Sequence, residues 1–232
     1  QDMCRLSNRT LAGHRGYDRG ALRIAQVLAN VCKAPLITSK VSRLIIDTNR
    51  SMHSRDLLKY KDILDKHNVT QTIISKYCTP YRQAVFSMVD KIIRDNYTCL
   101  HVSVHTFAPI LKGKRRNADI GILYAPCVKQ EKGFAERWRA ALHEISCRTY
   151  AIRYNYPYKG ISDGMVAACR KRFGYTGRYI GLELEVSQRF FRTNADSGRR
   201  IAGEIAEAFQ IAVTGYVKAD EYKTRFFSDT DD

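Results

Sequence analysis

The chain has 232 residues, 44% of them hydrophobic, which suits one domain with a full core and excludes a disordered polymer. No run approaches the roughly 18 apolar residues of a membrane-spanning helix, and no signal-type apolar stretch stands near Gln1, so neither a span nor a secretory leader is expected. Lys plus Arg number 39 against 23 Asp plus Glu, a net charge of +16 that favours anionic ligands. The basic residues are spread along the chain without an RNA- or DNA-binding signature. Steering of a small anion therefore ranks ahead of nucleic-acid binding, and no membrane partner is expected. Seven cysteines without a CxxC pair fit reduced thiols in a cytoplasmic protein better than a disulfide framework or a zinc ribbon.

Residues 1–12 read as polar and irregular. Ala21, Leu22, Ile24, Ala25, Leu28 and Ala29 recur at helical spacing, predicting a helix from Asp18 to about Cys32, with Asp18 as its N-cap. His14 falls in the turn before it. Two short strands are expected at 36–38 and 43–47. In the second, period-2 geometry puts Arg43, Asp47 and Asn49 on one face, with Arg50 where the chain leaves the sheet. Such a group suits a carboxylate clamp, because a guanidinium pairs bidentately with a carboxylate and an Asp can hold the arginine in place. A structural ion pair of Asp47 with Arg43 or Arg50 is the plainer reading. Helices are expected over 54–67 and 69–95, broken near Pro80, with His53 and His67 solvated.

From Leu100 the alternation sets Leu100, Val102 and Val104 on one face of a strand and His101, Ser103 and His105 on the other. A basic loop, Lys112 to Arg116, leads to an apolar strand at 120–124. A helix over 130–146 carries Phe134, Trp138, Ala141, Leu142 and Ile145. A strand at 150–155 enters a turn at Pro157–Gly160, and Ser162 or Asp163 caps a helix to about Phe173. The strand 179–186 alternates Ile180, Leu182, Leu184 and Val186 against Gly181, Glu183, Glu185 and Ser187. A last helix is expected over 197–222, followed by a frayed acidic tail from Asp229.

Strands alternating with helices predict an α/β fold, with a mixed, mostly parallel central sheet flanked by helices on both faces. Three strands present polar ends: His101/Ser103/His105, Arg153/Asn155 and Glu183/Glu185. Burying these groups is costly unless they satisfy one another or a metal, so they are expected to converge on one polar cleft. His105 with a neighbouring carboxylate would then be a metal ligand or an acid/base pair; a buried structural salt bridge is the alternative.

Five segments, HRGYDRGAL (14–22), SRLIIDTNR (42–50), HVSVHTFAPILKGKRRNADIGILY (101–124), RYNYPYKGISDG (153–164) and GLELEVSQ (181–188), together resemble the N-formylglutamate amidohydrolase family. SVHTF followed by GxxRxxDIG is the most specific part. The resemblance implies a fold like that of zinc carboxypeptidases and aspartoacylase. It also implies hydrolysis of an amide of a small anionic N-acyl amino acid, such as N-formyl-L-glutamate to formate and glutamate. By the same resemblance one zinc ion is held by His105, with Asp18 and His14 as further ligands, and Glu185 is the general base, with Glu183 as its competitor. Arg43, Asp47, Asn49 and Arg50 hold the substrate carboxylate, Arg116 grips a second carboxylate or the amide oxygen, and Asn155 and Tyr158 line the pocket. Family members also carry a histidine motif on an earlier strand. No histidine precedes His14, so the single domain 1–232 is expected to lack that strand and to have an incomplete zinc site. That leaves a non-catalytic carboxylate binder on the same scaffold as the alternative function.

Overall fold

The computed structural model describes residues 16–192 and 195–228, without the side chains of Ala195 and 217–228. Strands β1 (Cys99–Phe107), β4 (Ile120–Leu123), β5 (Ile152–Tyr154) and β6 (Tyr179–Ser187) make one sheet in the order β1-β6-β4-β5. β1 runs parallel to β6 and β4 parallel to β5, while β4 is antiparallel to β6. A separate hairpin, β2 (Ile110–Leu111) with β3 (Lys114–Arg115), shapes the basic loop. The helices are α1 (Ala21–Cys32), α2 (Lys61–Lys66), α3 (Thr70–Ile73), α4 (Thr79–Arg94), α5 (Lys129–Ile145), α6 (Met165–Phe173) and α7 (Ala195–Ser228). A mixed, mostly parallel sheet with helices on both faces is therefore the architecture.

Side-chain alternation in β6 divides the core. Ile180, Leu182, Leu184 and Val186 join Ile120 and Ile122 under α1, α5 and α7, where Ile24, Phe134, Trp138, Leu142, Ile201 and Ile205 are fully buried. On the opposite face Met165, Cys169 and Phe173 of α6 pack with Val85 and Val89 of α4 and with Cys99 and Tyr179. A third cluster, Ile46, Leu57, Leu58, Leu64 and Cys78, lies under the segment between α1 and α4. α1 ends at Lys33, whose left-handed backbone (φ 50) returns its N–H to the carbonyls of Ala29 and Asn30.

Several expected elements differ. The segments 36–38 and 43–47 are not strands. Ile45 and Ile46 donate their N–H groups to the Ser42 carbonyl, so the chain turns there, and Leu44 and Ile46 are buried from a turn. The helix expected over 54–67 is confined to α2. In the next helical run the irregularity is a π-helical turn, Ile74–Cys78, and Pro80, which has no N–H to donate, follows it in the first turn of α4. Asp18 is not a side-chain cap, because Gly20 is the N-cap of α1 and no side chain bonds there. Nor do Ser162 or Asp163 cap α6: its N-cap is Gly164, and the N–H of Met165 is taken by Asn49 Oδ1 at 2.8 Å.

Candidate active site

The parallel register of β1 and β6 pairs Ser103 with Glu183 and His105 with Glu185, so imidazole and carboxylates stand side by side on one face, toward the carboxyl ends of two neighbouring strands. The turn after α1 reaches them through a ladder of charged side chains. His105 Nδ1 lies 2.8 Å from Asp18 Oδ2, and Arg43 Nη1 donates to Asp18 Oδ1 at 2.7 Å. Arg43 Nη2 and Nε donate to Asp47 Oδ2 at 2.9 and 3.2 Å, and the Asn49 N–H donates to Asp47 Oδ1. The ladder returns to the imidazole, since Asn49 Nδ2 lies 3.4 Å from His105 Nε2, with Ser103 Oγ at 3.1 Å.

These partners define how His105 is held. Asn49 Oδ1 is occupied by the Met165 N–H, so its amide nitrogen is turned toward Nε2 as a donor. That arrangement suits a neutral ring with Nδ1–H on Asp18 and a lone pair at Nε2. Burial works against a charged ring, but the hydrogen bond and charge of Asp18, reinforced by Glu185 and Glu183, outweigh it and raise the pKa to about 9. The nearby carboxylates thus favour the charged ring, while the Asn49 amide, fixed by its second bond to Met165, presents a donor to Nε2. For Asp18 burial acts to raise the pKa, but His105 and Arg43 hold the carboxyl below its ordinary range.

Glu185 is the carboxylate with an unsatisfied oxygen. It is 5% exposed, its Oε2 is buried without a hydrogen-bond partner, and burial pushes its pKa up to about 7 against the opposing pull of His105. Glu183 is also raised, chiefly by burial, with His105, Arg170 and Arg50 pulling it down. Room beside Glu185 depends on Gly121, its neighbour in β4. A Cβ there would stand 1.9 Å from the Tyr156 carbonyl oxygen and 3.3 Å from Glu185 Cβ.

The arginines divide by their partners. Arg43 is paired with both Asp18 and Asp47, the structural ion pair that the sequence also allowed. Arg50 is less committed: Nη1 donates to the Asp163 carbonyl at 2.7 Å, while its buried Nε stands 3.6 Å from Asp47 Oδ2, too far for a hydrogen bond. Arg116 lies over the rings of Phe107 and Tyr158 and donates to the Tyr158 hydroxyl at 3.1 Å, which sets both residues at the β1 end beyond His105.

Other expected members lie elsewhere or serve other ends. Asn155 accepts the N–H groups of Tyr124 and Gly160 on Oδ1 and so closes a turn. His101, on the same strand face, is bonded to the Tyr179 hydroxyl at 2.8 Å, and burial lowers its pKa to about 4. Arg153 is exposed over the Tyr156 ring. His14 lies outside the described residues. Asp163, one of the two expected caps, fastens Arg50 with its carbonyl and the Ser51 N–H with its carboxylate. Only its place in ISDG, next to a glycine, hinted at a turn.

A family model for N-formylglutamate amidohydrolase matches residues 1–192. The chain belongs to the N-formylglutamate amidohydrolase family. Membership makes it an amidohydrolase by family. Among solved structures it is similar to gene product Atu2144 from Agrobacterium tumefaciens, with a TM-score of 0.76 and 23% identity over 91% of this chain and 83% of that one. It is also similar to N-formylglutamate amidohydrolase from Ralstonia eutropha JMP134, with a TM-score of 0.58 and 17% identity over 86% of this chain and 82% of that one. No curated protein matches it. At these identities the two structures speak for the fold.

Proposed function

We propose that this amidohydrolase cleaves the amide of an N-acylated acidic amino acid, with N-formyl-L-glutamate as the reference substrate. The observation that carries the reading is Glu185: a buried carboxylate with one unpartnered oxygen, beside an imidazole held from both sides. A carboxyl near pH 7 is suited to take a proton and to return it. Arg50, with N–H groups to spare, binds the substrate carboxylate, and Asp163 and Asp47 hold it in place. Glu185 takes a proton from the attacking water and delivers it to the departing nitrogen as the carbon–nitrogen bond breaks, giving a carboxylic acid and an amine. Arg116 at the rim takes a second carboxylate.

Zinc enters as a proposal of the family resemblance. When bound, it would polarise the acyl carbonyl and acidify the attacking water. His105 Nε2 is the described imidazole nitrogen suited to it, and Asp18 on Nδ1 is the orienting partner such a ligand needs. Among the described residues no three His, Cys, Asp or Glu side chains form a metal-holding group, so the described residues do not by themselves fit a closed site, and every step above belongs to protein groups.

The test is release of formate from N-formyl-L-glutamate, with zinc supplied and withheld. Zinc-dependent release is expected; none in either condition sinks the reading. A second reading is capture of an acidic ligand without turnover, for which the buried, unpartnered Nε of Arg50 would serve as well. It predicts saturable binding of N-formyl-L-glutamate, weakened by Arg50→Ala, with no formate at saturating zinc.

A further inference from the structure

The peptide unit that follows Arg50 is held at both of its ends. Its carbonyl, on Arg50, accepts from Arg82 Nη1 at 2.9 Å. Its N–H, on Ser51, donates to the Asp163 carboxylate, whose oxygens stand at 3.1 and 3.2 Å. A cation at the negative end of a peptide dipole and an anion at its positive end both favour that orientation. Asp163 also takes Arg50 Nη1 on its carbonyl at 2.7 Å, so the backbone and the guanidinium of Arg50 are tied to one residue.

Arg82 stands in α4 and is 9% exposed, and a guanidinium so buried loses hydration that one carbonyl does not replace. Its guanidinium lies over the Phe86 ring at 5.6 Å, and Arg172 shares that ring at 4.9 Å. For stability alone an apolar side chain of similar length would serve this place as well or better. What the arginine adds is a charged donor aimed at the segment bearing Arg50. Cys78, one turn earlier on the same face of the helical run, packs its Sγ 3.7 Å from Met52 Sδ. That face therefore seats residues 50–52 through two contacts.

We propose that Arg82 is a positioning residue for substrate binding, which fixes the Arg50–Ser51 peptide so that the Arg50 guanidinium meets the substrate carboxylate in one orientation. The inference rests on the assignment of Arg50 in the amidohydrolase reading and adds a residue that does not touch substrate. A guanidinium grips a carboxylate best through two parallel N–H···O bonds, which require a fixed plane. A long side chain keeps its plane cheaply only when its root is fixed. Without Arg82 the ordering of Arg50 falls on the binding step, so the loss belongs in KM and not in kcat.

The test is a double-mutant cycle of Arg82→Met with Arg50→Ala. It is read as KM for formate release from N-formyl-L-glutamate with zinc supplied, and as Kd by calorimetry with zinc withheld. Methionine keeps much of the side chain's length over Phe86 and removes charge and donor, so an unchanged or higher melting temperature is expected. With Arg50 present, Arg82→Met should raise KM and Kd about tenfold, the scale of one hydrogen bond to a charged group, and hold kcat within about twofold. In the Arg50→Ala background the same change should do nothing, because no guanidinium is left to place. Arg82→Lys, a charged donor on a different stem, should recover part of the loss. Carried through the same cycle, it keeps the test decisive where Arg82→Met does not fold.

Equal losses in both backgrounds overturn the inference, since Arg82 would then support the fold at large. A fall in kcat with KM unchanged overturns it too, as does an unimpaired Arg82→Met beside an impaired Arg50→Ala. Each of these leaves the amidohydrolase reading standing. In a wild type that binds N-formyl-L-glutamate but releases no formate, which sinks hydrolysis alone, non-additive Kd values support the inference and additive ones overturn it. A wild type that neither binds nor cleaves removes both.

Discussion

At Glu185 catalytic readiness and stability pull in opposite directions. A carboxylate kept from solvent, with one oxygen unbonded, is held in its acid form by the fold, so its pKa rises from 4.5 to about 7. The native state then binds more protons than the unfolded one between those values. Its stabilising contribution is complete below pH 4.5 and is lost as pH rises through about 7. The gap corresponds to roughly 3 kcal/mol at most. Glu185→Gln, which stays neutral, should match the wild type near pH 4.5 and exceed it by about 2–3 kcal/mol at pH 8 in denaturant melts at both values. The same variant should lower formate release by about 10²–10⁴-fold, and the wild-type rate should climb with pH through the region of pH 7. Equal stabilities at pH 8 would remove the strained carboxyl from the account. Asp18→Asn tests the partner on the other side of His105: losing a carboxylate that orients the ring should reduce activity by about 10–100-fold, with the melting temperature read alongside.

Two backbone devices at the element scale keep that carboxyl usable. Gly121 lets β4 pass beneath the Tyr156 carbonyl, and with a Cβ at 1.9 Å from that oxygen, Gly121→Ala must push β4 away from the 155–160 turn or from Glu185. Loss of activity together with a drop of about 2–4 kcal/mol in stability is expected, read by melts and formate release. Asn155 adopts φ 49 and ties Tyr124 and Gly160 with one side-chain oxygen. Asn155→Ala should therefore destabilise by about 1–3 kcal/mol, with any change in KM following the turn's disorder, not a lost substrate contact. Periodicity made α1, β1, α5 and β6 legible, because each has one buried stripe that its sequence repeats. It misread 43–47 because Leu44 and Ile46 are buried as a strand's would be, while the backbone is fixed by the Ser42 carbonyl and by Arg43 reaching 25 residues back to Asp18. A side-chain bridge of that range leaves no local pattern. The alternation in β1 and β6 did put His105 and Glu185 on strand faces, but their adjacency is a matter of register, and the order β1-β6-β4-β5 is invisible in any single segment.

The whole molecule contributes through its field. A net charge of +16 on 232 residues exceeds what the buried ladder needs, since Arg43 is already neutralised by Asp18 and Asp47 and Arg170 by Glu131. The β2–β3 hairpin carries part of the excess next to the site: Lys114 and Arg115 are exposed, directly before Arg116, whose guanidinium rests on Phe107 and Tyr158. Charges placed there would draw the proposed dianionic substrate toward the β1 end without touching it, acting on encounter and leaving the chemical step alone. Exposed charges are screened over about 10 Å at 0.1 M salt and about 3 Å at 1 M. The double reversal Lys114→Glu with Arg115→Glu should accordingly lower kcat/KM for N-formyl-L-glutamate several-fold at 20 mM salt, converge on the wild type near 1 M, and leave kcat unchanged at both. A fall in kcat that persists at high salt would place the hairpin in the chemistry itself, and the same deficit at both salt concentrations would show that it acts by contact and not through the field.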